Sequence, residues 1–244
     1  MRALRILLIV VVVLCGLFVV ADRIAAGFAE DEAADRLRTS ENLASTPDVS
    51  VNGFPFLTQL AAGELDDVEV GIDDYEATGG DGEKIRLDRI EAHLKGVEFS
   101  GGFGSATAAT ATGTATVGYD ELMKATKSEP TEIAPGITAK VVGLSDGGNG
   151  KIKVSLAATV LGIELSEPVD VLSSVRVKDD DVEVVADGLP EIGGRQLGES
   201  RIRAITDFQQ RIDELPGGIR LDKVEAARDG VEITVRGSDV RLAG

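Results

Sequence analysis

The chain has 244 residues, and its 42 acidic against 25 basic side chains leave a formal charge of -17. A nucleic-acid partner needs a basic footprint to displace counterions, so this balance argues against that class, and it equally disfavours a surface that clings to anionic lipid headgroups by charge. With 43% hydrophobic residues but no tryptophan, two tyrosines and one cysteine, the chain has material for a core without a disulfide framework or the aromatic platforms of a carbohydrate-gripping cleft.

Residues 1–21 read as a targeting segment: Arg2 and Arg5 precede an uninterrupted apolar run of 16 residues, Ile6 to Ala21. A spanning helix takes roughly 20 apolar residues and a signal-peptide core roughly 7 to 15, so a cleaved signal and a retained anchor both fit. Val19-Val20-Ala21 lacks a small residue at its first position, which favours the anchor. In either case the arginines stay cytoplasmic and the remainder, residues 22–244, is exported. Cys15 follows Leu14 where lipid attachment wants a small side chain, so it reads as an inert membrane thiol, and the exported part is stable without disulfides.

Asp22 to Leu43 is alanine-rich and charged, with Ala26, Ala29, Ala33 and Leu37 on one helical stripe and Ile24 and Phe28 on another face. Pro47 closes this helix. Next comes Val51-Asn-Gly-Phe-Pro-Phe-Leu-Thr-Gln-Leu60, where Gly53 and Pro55 stiffen a turn that presents Phe54, Phe56, Leu57 and Leu60 as one apolar cluster. A plain core strand fits the same residues.

Beyond Pro47 most of the chain alternates with period two. Phase slips near Arg89 and at Gly96 have the look of β-bulges, and a sheet that bulges repeatedly bends. Ser105 to Val117 carries almost only Ala, Thr and Gly, which leaves volume for a closely packed helix or for part of a ligand groove. Tyr119 to Lys127 has acids early and lysines late, the order a helix dipole favours. Ile137 to Leu144 with Lys151 to Leu161, and Val171 to Val177 with Val182 to Ala186, read as hairpins. A late helix is expected over Glu199 to Leu215, where Ile205, Phe208, Ile212 and Leu215 form a stripe, and a last hairpin over Ile219 to Ala227 and Val231 to Val235.

No catalytic pattern emerges. His93, the single histidine, lies on the polar side of its strand, and no Gly-x-Ser-x-Gly elbow accompanies it. One histidine and no exported cysteine leave no zinc site. Asp179, Asp181 and Glu183 could take odd positions of a calcium loop, but Val184 stands where glycine is needed and Pro190 where the closing glutamate belongs. These acids, like Asp146 to Asn149, read as hairpin turns, and neither Gly101 to Gly104 nor Gly193-Gly194 is followed by the lysine of a phosphate loop. No cofactor is expected.

The Gly53-Phe-Pro-Phe-Leu57 run followed by the Val68-Glu-Val70 strand resembles the opening signature of the LmeA family, phospholipid-binding proteins of the actinobacterial cell envelope. Asp22 to Glu30 resembles that family's N-terminal helix, Val117-Gly-Tyr-Asp-Glu-Leu122 its mid-chain strand-to-helix step, and Leu215 to Val224 with Asp229 to Val240 its closing hairpin. The resemblance implies an α+β fold in which a curved antiparallel sheet wraps a long helix, similar to the tubular lipid-binding folds. It also implies an exported, membrane-associated, non-enzymatic binder of a phospholipid or phospholipid-derived glycolipid, with enzymes of envelope glycolipid assembly as possible partners. The Ala/Thr/Gly strand departs from the family's more regular stretch and leaves the bound lipid open. Phe54, Phe56, Leu57, Leu60, Phe208 and Ile212 are the expected lining of an apolar groove, for which a buried methylene is worth about 0.8 kcal/mol. A ligand-free scaffold for a membrane enzyme and an envelope-assembly enzyme with an acidic site are the alternatives.

Overall fold

The computed structural model describes residues 2–78, 84–100, 105–125, 129–178, 181–188, 191–192, 195–196, 208–211 and 218–243. Arg2–Ser40 form one unbroken helix, α1, of 39 residues. Neither proline nor a glycine pair interrupts it, so the apolar run and the alanine-rich stretch after it are a single rod. Glu32 pairs with Arg36 at 2.8 Å one turn on, and Arg38 lies in the last turn, where a cation suits the carbonyl end of the helix. The buried stripe is Asp22, Ala26 and Ala34. Ala33 is exposed, so the stripe steps by four residues instead of alternating three and four, because the contacts that set it are made by Asp22 and Glu30. Ile24 and Phe28 face outward.

After α1 come β1 (Asp48–Asn52), α2 (Phe56–Ala62), β2 (Glu64–Thr78), β3 (Lys84–Ser100), β4 (Ser105–Gly118) and α3 (Tyr119–Ala125). They are followed by β5 (Thr131–Ala134), β6 (Ile137–Gly148), β7 (Lys151–Val160), β8 (Ile163–Glu164), β9 (Val169–Lys178), β10 (Asp181–Ala186), β11 (Glu191–Ile192), β12 (Arg195–Gln196), β13 (Phe208–Arg211), β14 (Ile219–Ala226) and β15 (Gly230–Ala243). One sheet runs β1-β2-β3-β4-β15-β14, a second runs β13-β10-β9-β7-β6-β5 with β8 beside β7, and β11 pairs with β12. Among the described pairings, every register is antiparallel. The chain is mostly β with one long apolar N-terminal helix.

Two compact units share these elements: Met1–Asp73, Glu91–Thr112 and Gly237–Gly244 in the first, Asp74–Ile90 and Gly113–Arg236 in the second. In the first, Ala26 of α1 packs with Val51, Phe56, Leu65, Val97 and Ala108. Gly96 has φ +58° inside β3, and a Cβ there would stand 3.1 Å from the Ala109 Cβ, which accounts for the glycine at the slip read from the sequence.

In the second unit, Ile152, Val154, Leu156 and Val171 from β7 and β9 pack with Leu221, Val224, Ala226 and Val231 from the closing hairpin. Asn149 and Gly150, at φ +54° and +72°, form the two-residue turn between β6 and β7, as the type I′ geometry of an Asn-Gly hairpin requires. Register shifts at Val141/Gly143 and Asp146/Gly148 bulge β6. Tyr119 opens α3, and its hydroxyl donates to the Ala227 carbonyl at 2.8 Å. The late helix is corrected over Phe208–Arg211, which form an edge strand whose Phe208 faces Val184 of β10. Pairing with an open sheet edge supplies long-range hydrogen bonds that outweigh the local three-four spacing. The rest of that expected helix lies outside the described residues.

A Cβ on Gly230 would stand 2.2 Å from the Val117 carbonyl oxygen, whereas one on Gly27 of α1 would meet nothing within 4 Å. Gly230→Ala should therefore cost roughly 1–3 kcal/mol through forced backbone movement, and Gly27→Ala should gain roughly 0.5–1 kcal/mol through helix propensity, both read by denaturant unfolding.

Candidate functional site

The segment after β1 is built around a turn, a short helix and two acids sent in from α1. Gly53 takes φ +100°, and a Cβ on it would come 2.5 Å from Gln59 Nε2. The Phe54-Pro55 peptide is cis, and α2 begins at the next residue. Pro55, at the N-cap, offers no side-chain acceptor for the free amides of the first turn. Asp22 supplies it: Oδ2 accepts from the Phe56 amide at 3.1 Å and Oδ1 from the Leu57 amide at 2.8 Å. Two turns along the same face of α1, Glu30 Oε1 accepts from the Val51 amide at 2.7 Å. Between these carboxylates sits Ala26, small enough to let the helix come close.

Arg23 completes the constellation. Its Nη2 donates to Asp22 Oδ2 at 2.7 Å and to the Gly53 carbonyl at 3.1 Å, and its guanidinium stands 5.6 Å from the centre of the Phe54 ring. The Asp22 side chain is fully buried. Burial pushes its carboxyl up, but the Leu57 amide, Arg23 and the Phe56 amide together outweigh burial and hold it below its ordinary value. At the other end of α2, Gly63 at φ +79° returns its amide to the Gln59 and Leu60 carbonyls, while its own carbonyl accepts from Phe99 of β3 at 2.8 Å. Gln59 Oε1 accepts from Asp66 of β2 at 2.8 Å.

The expected lining residues separate. Phe56 is 2% exposed and belongs to the core of the first unit, with Leu57 and Leu60 half-buried against it. Phe54 is 56% exposed and rests on Arg23. Phe208 lies on β13 in the second unit, and Ile212 lies outside the described residues. Ala108 of the small-residue strand shares a cluster with Ala26 and Ala29, so at this point the spare volume is taken by closely packed α1. A shallow depression at the C-terminal end of α1 is lined by Asp35, Arg36, Thr39 and Ser40, side chains suited to water and not to an acyl chain.

His93 is half exposed, with Nδ1 3.5 Å from a Glu69 carboxylate oxygen that is equally exposed. Among the described residues no group of three or more His, Cys, Asp and Glu side chains is placed to hold a metal ion. The residues missed by sequence reasoning are Asp22 and Glu30. Their signal was available in retrospect: two carboxylates eight residues apart on the alanine face of an otherwise apolar stripe.

A model of the LmeA-like phospholipid-binding family matches residues 20–236. The chain belongs to that family. Comparisons with curated proteins and with solved structures return no match. The LmeA-like match takes in the Asp22-Arg23 pair and the Gly53 to Leu57 segment, and stops within β15.

Phe56→Ala should cost about 3–5 kcal/mol in denaturant unfolding and Phe54→Ala within about 0.5 kcal/mol, because only the first leaves a cavity. With the Asp22 carboxyl held below 3.8, the stability it contributes is complete above that value and is lost as pH falls through the depressed one. Acid unfolding of Asp22→Asn should lack that part of the slope and begin from a lower melting temperature at neutral pH.

Proposed function

We propose that this protein holds or shuttles a phospholipid, or a glycolipid derived from one, at the extracytoplasmic face of the plasma membrane, and performs no chemistry on it. The observation that carries this reading is the match to a phospholipid-binding family over residues 20–236. The helix α1 fits the same reading, since its first half is exposed and apolar enough to cross a membrane. The role is support of glycolipid assembly in the cell envelope, with the assembling enzymes as partners.

The acyl chain lies in an apolar groove beside α2, bounded by Phe54, Leu57 and Leu60, with Phe56 as the floor. Half of one acyl chain removed from water supplies several kcal/mol at about 0.8 kcal/mol per methylene, which is enough for reversible capture before entropic costs. A charge of -17 suits such a mechanism, because affinity then comes from apolar burial and not from attraction to anionic headgroups.

Native mass spectrometry of the protein purified from its own envelope should show retained phospholipid. Leu57→Asp and Leu60→Asp should reduce that retention more than they lower the melting temperature, since both side chains are already half in water. A protein that carries no lipid and takes none from liposomes would overturn the proposal in favour of a ligand-free scaffold.

A further inference from the structure

Asp22 is the first residue beyond the apolar run, and it is also the residue that holds the N-terminus of α2. No linker separates the two roles, because α1 continues through Asp22 without a break. The height of the Phe54 segment above a bilayer is therefore fixed by hydrogen bonds. Residues 3–21 rise roughly 28 Å at 1.5 Å per residue, close to the roughly 30 Å hydrocarbon core once Arg5 extends its charge outward. The hydrocarbon boundary then falls at Ala21, and the headgroup layer, about 5–7 Å deep, begins at Asp22.

What occupies that layer is apolar. Ile24 is 55% exposed and Phe28 72% exposed, one turn apart on the face of α1 turned away from Ala26. Their backbones stand about 4.5 and 10.5 Å above Ala21, and because helical side chains lean back toward the N-terminus, the Phe28 ring reaches down from just above the layer into it. From Ile24 to Ala29 the helix carries no charge. On its flank, the Phe54 ring has its centre 5.6 Å from the Arg23 guanidinium, whose own charge is taken up by Asp22 and the Gly53 carbonyl. The ion pair at this level is self-contained: one partner is fully buried, and the other, half exposed, directs its donors to that partner and to the Gly53 carbonyl.

We propose that Ile24, Phe28 and Phe54 form a collar seated in the headgroup layer of the outer leaflet, so that the Phe-Pro-Phe segment rests on the membrane surface beside α1. The proposal rests on α1 being a retained anchor, as in the reading above, and its occupant is the bilayer itself and not a single captured lipid. Ile24 and Phe28 are large apolar side chains left in water next to a spanning run with no other role assigned to them, and continuity with that run accounts for both and for the outward turn of Phe54.

The chain contains no tryptophan, so one introduced indole reports alone. Phe54→Trp and Phe28→Trp, each in the full chain reconstituted in phosphatidylcholine vesicles, should lose emission to lipids brominated near the headgroup and resist iodide in the water. Emission quenched by iodide and untouched by bromolipid would overturn the proposal. So would bromolipid quenching that persists after the protein is moved into unbrominated vesicles, because that signal would come from a captured lipid. Lipid retention measured on the same samples keeps the two readings apart: quenching without any retained lipid sinks the function proposed above and leaves the collar standing, and retained lipid without surface quenching does the reverse.

Discussion

A carboxylate withdrawn from water must have its hydration replaced by fixed partners, and Asp22 has three: the amides of Phe56 and Leu57 and the Arg23 guanidinium. Those two amides are the ones that the proline at the start of α2 leaves uncapped. The ion and the helix end satisfy each other across 34 residues of sequence. Through α2 the constraint spreads, since Gln59 ties it to β2 and Gly63 to β3. Glu30 repeats the device at Val51, so α1 grips the first unit by two carboxylates with an alanine between them.

Much of the second unit was legible in the sequence because its determinants are local. The alternation Ile152, Val154, Leu156, Ala158 has one buried face at every second residue, and Asn149-Gly150 specifies the turn before it. The closing hairpin and the step into α3 were read for the same reason. In contrast, α2 is seven residues long, too short for a periodic signature, and its cap comes from a distant helix. A charged residue on an apolar stripe reads as an interruption until its partner is known, which is why Asp22 and Glu30 were passed over. The spacing of Ile205, Phe208 and Ile212 suggested a helix, but the free edge of β10 decided the state of Phe208–Arg211. Of the candidate site, the cluster of Phe56, Leu57 and Leu60 was visible in sequence, whereas the outward turn of Phe54 depends on Arg23 and was not.

Two of the segments that carried the family resemblance meet where backbone lies against backbone. Val117 lies against Gly230 so closely that no side chain fits, and Tyr119 bonds the carbonyl of Ala227 just before that glycine. Two short stretches far apart in the chain are thus one contact. A contact of this kind demands particular residues, whereas an aliphatic face such as that of β7 accepts any of several.

The unbroken α1 has a mechanical meaning for a protein held by it. A domain on a flexible tether explores a hemisphere, but a head fused rigidly to its stalk can only spin about the stalk and tilt with it. From Asp22 to Ser40 the rod extends roughly 28 Å at 1.5 Å per residue, and the first unit is tied to it at Asp22 and again at Glu30, so the unit turns only as the rod turns. With α1 kept in the bilayer as the anchor proposed above, encounters would follow from lateral diffusion in its plane, a search in two dimensions in which the approach angle is already chosen.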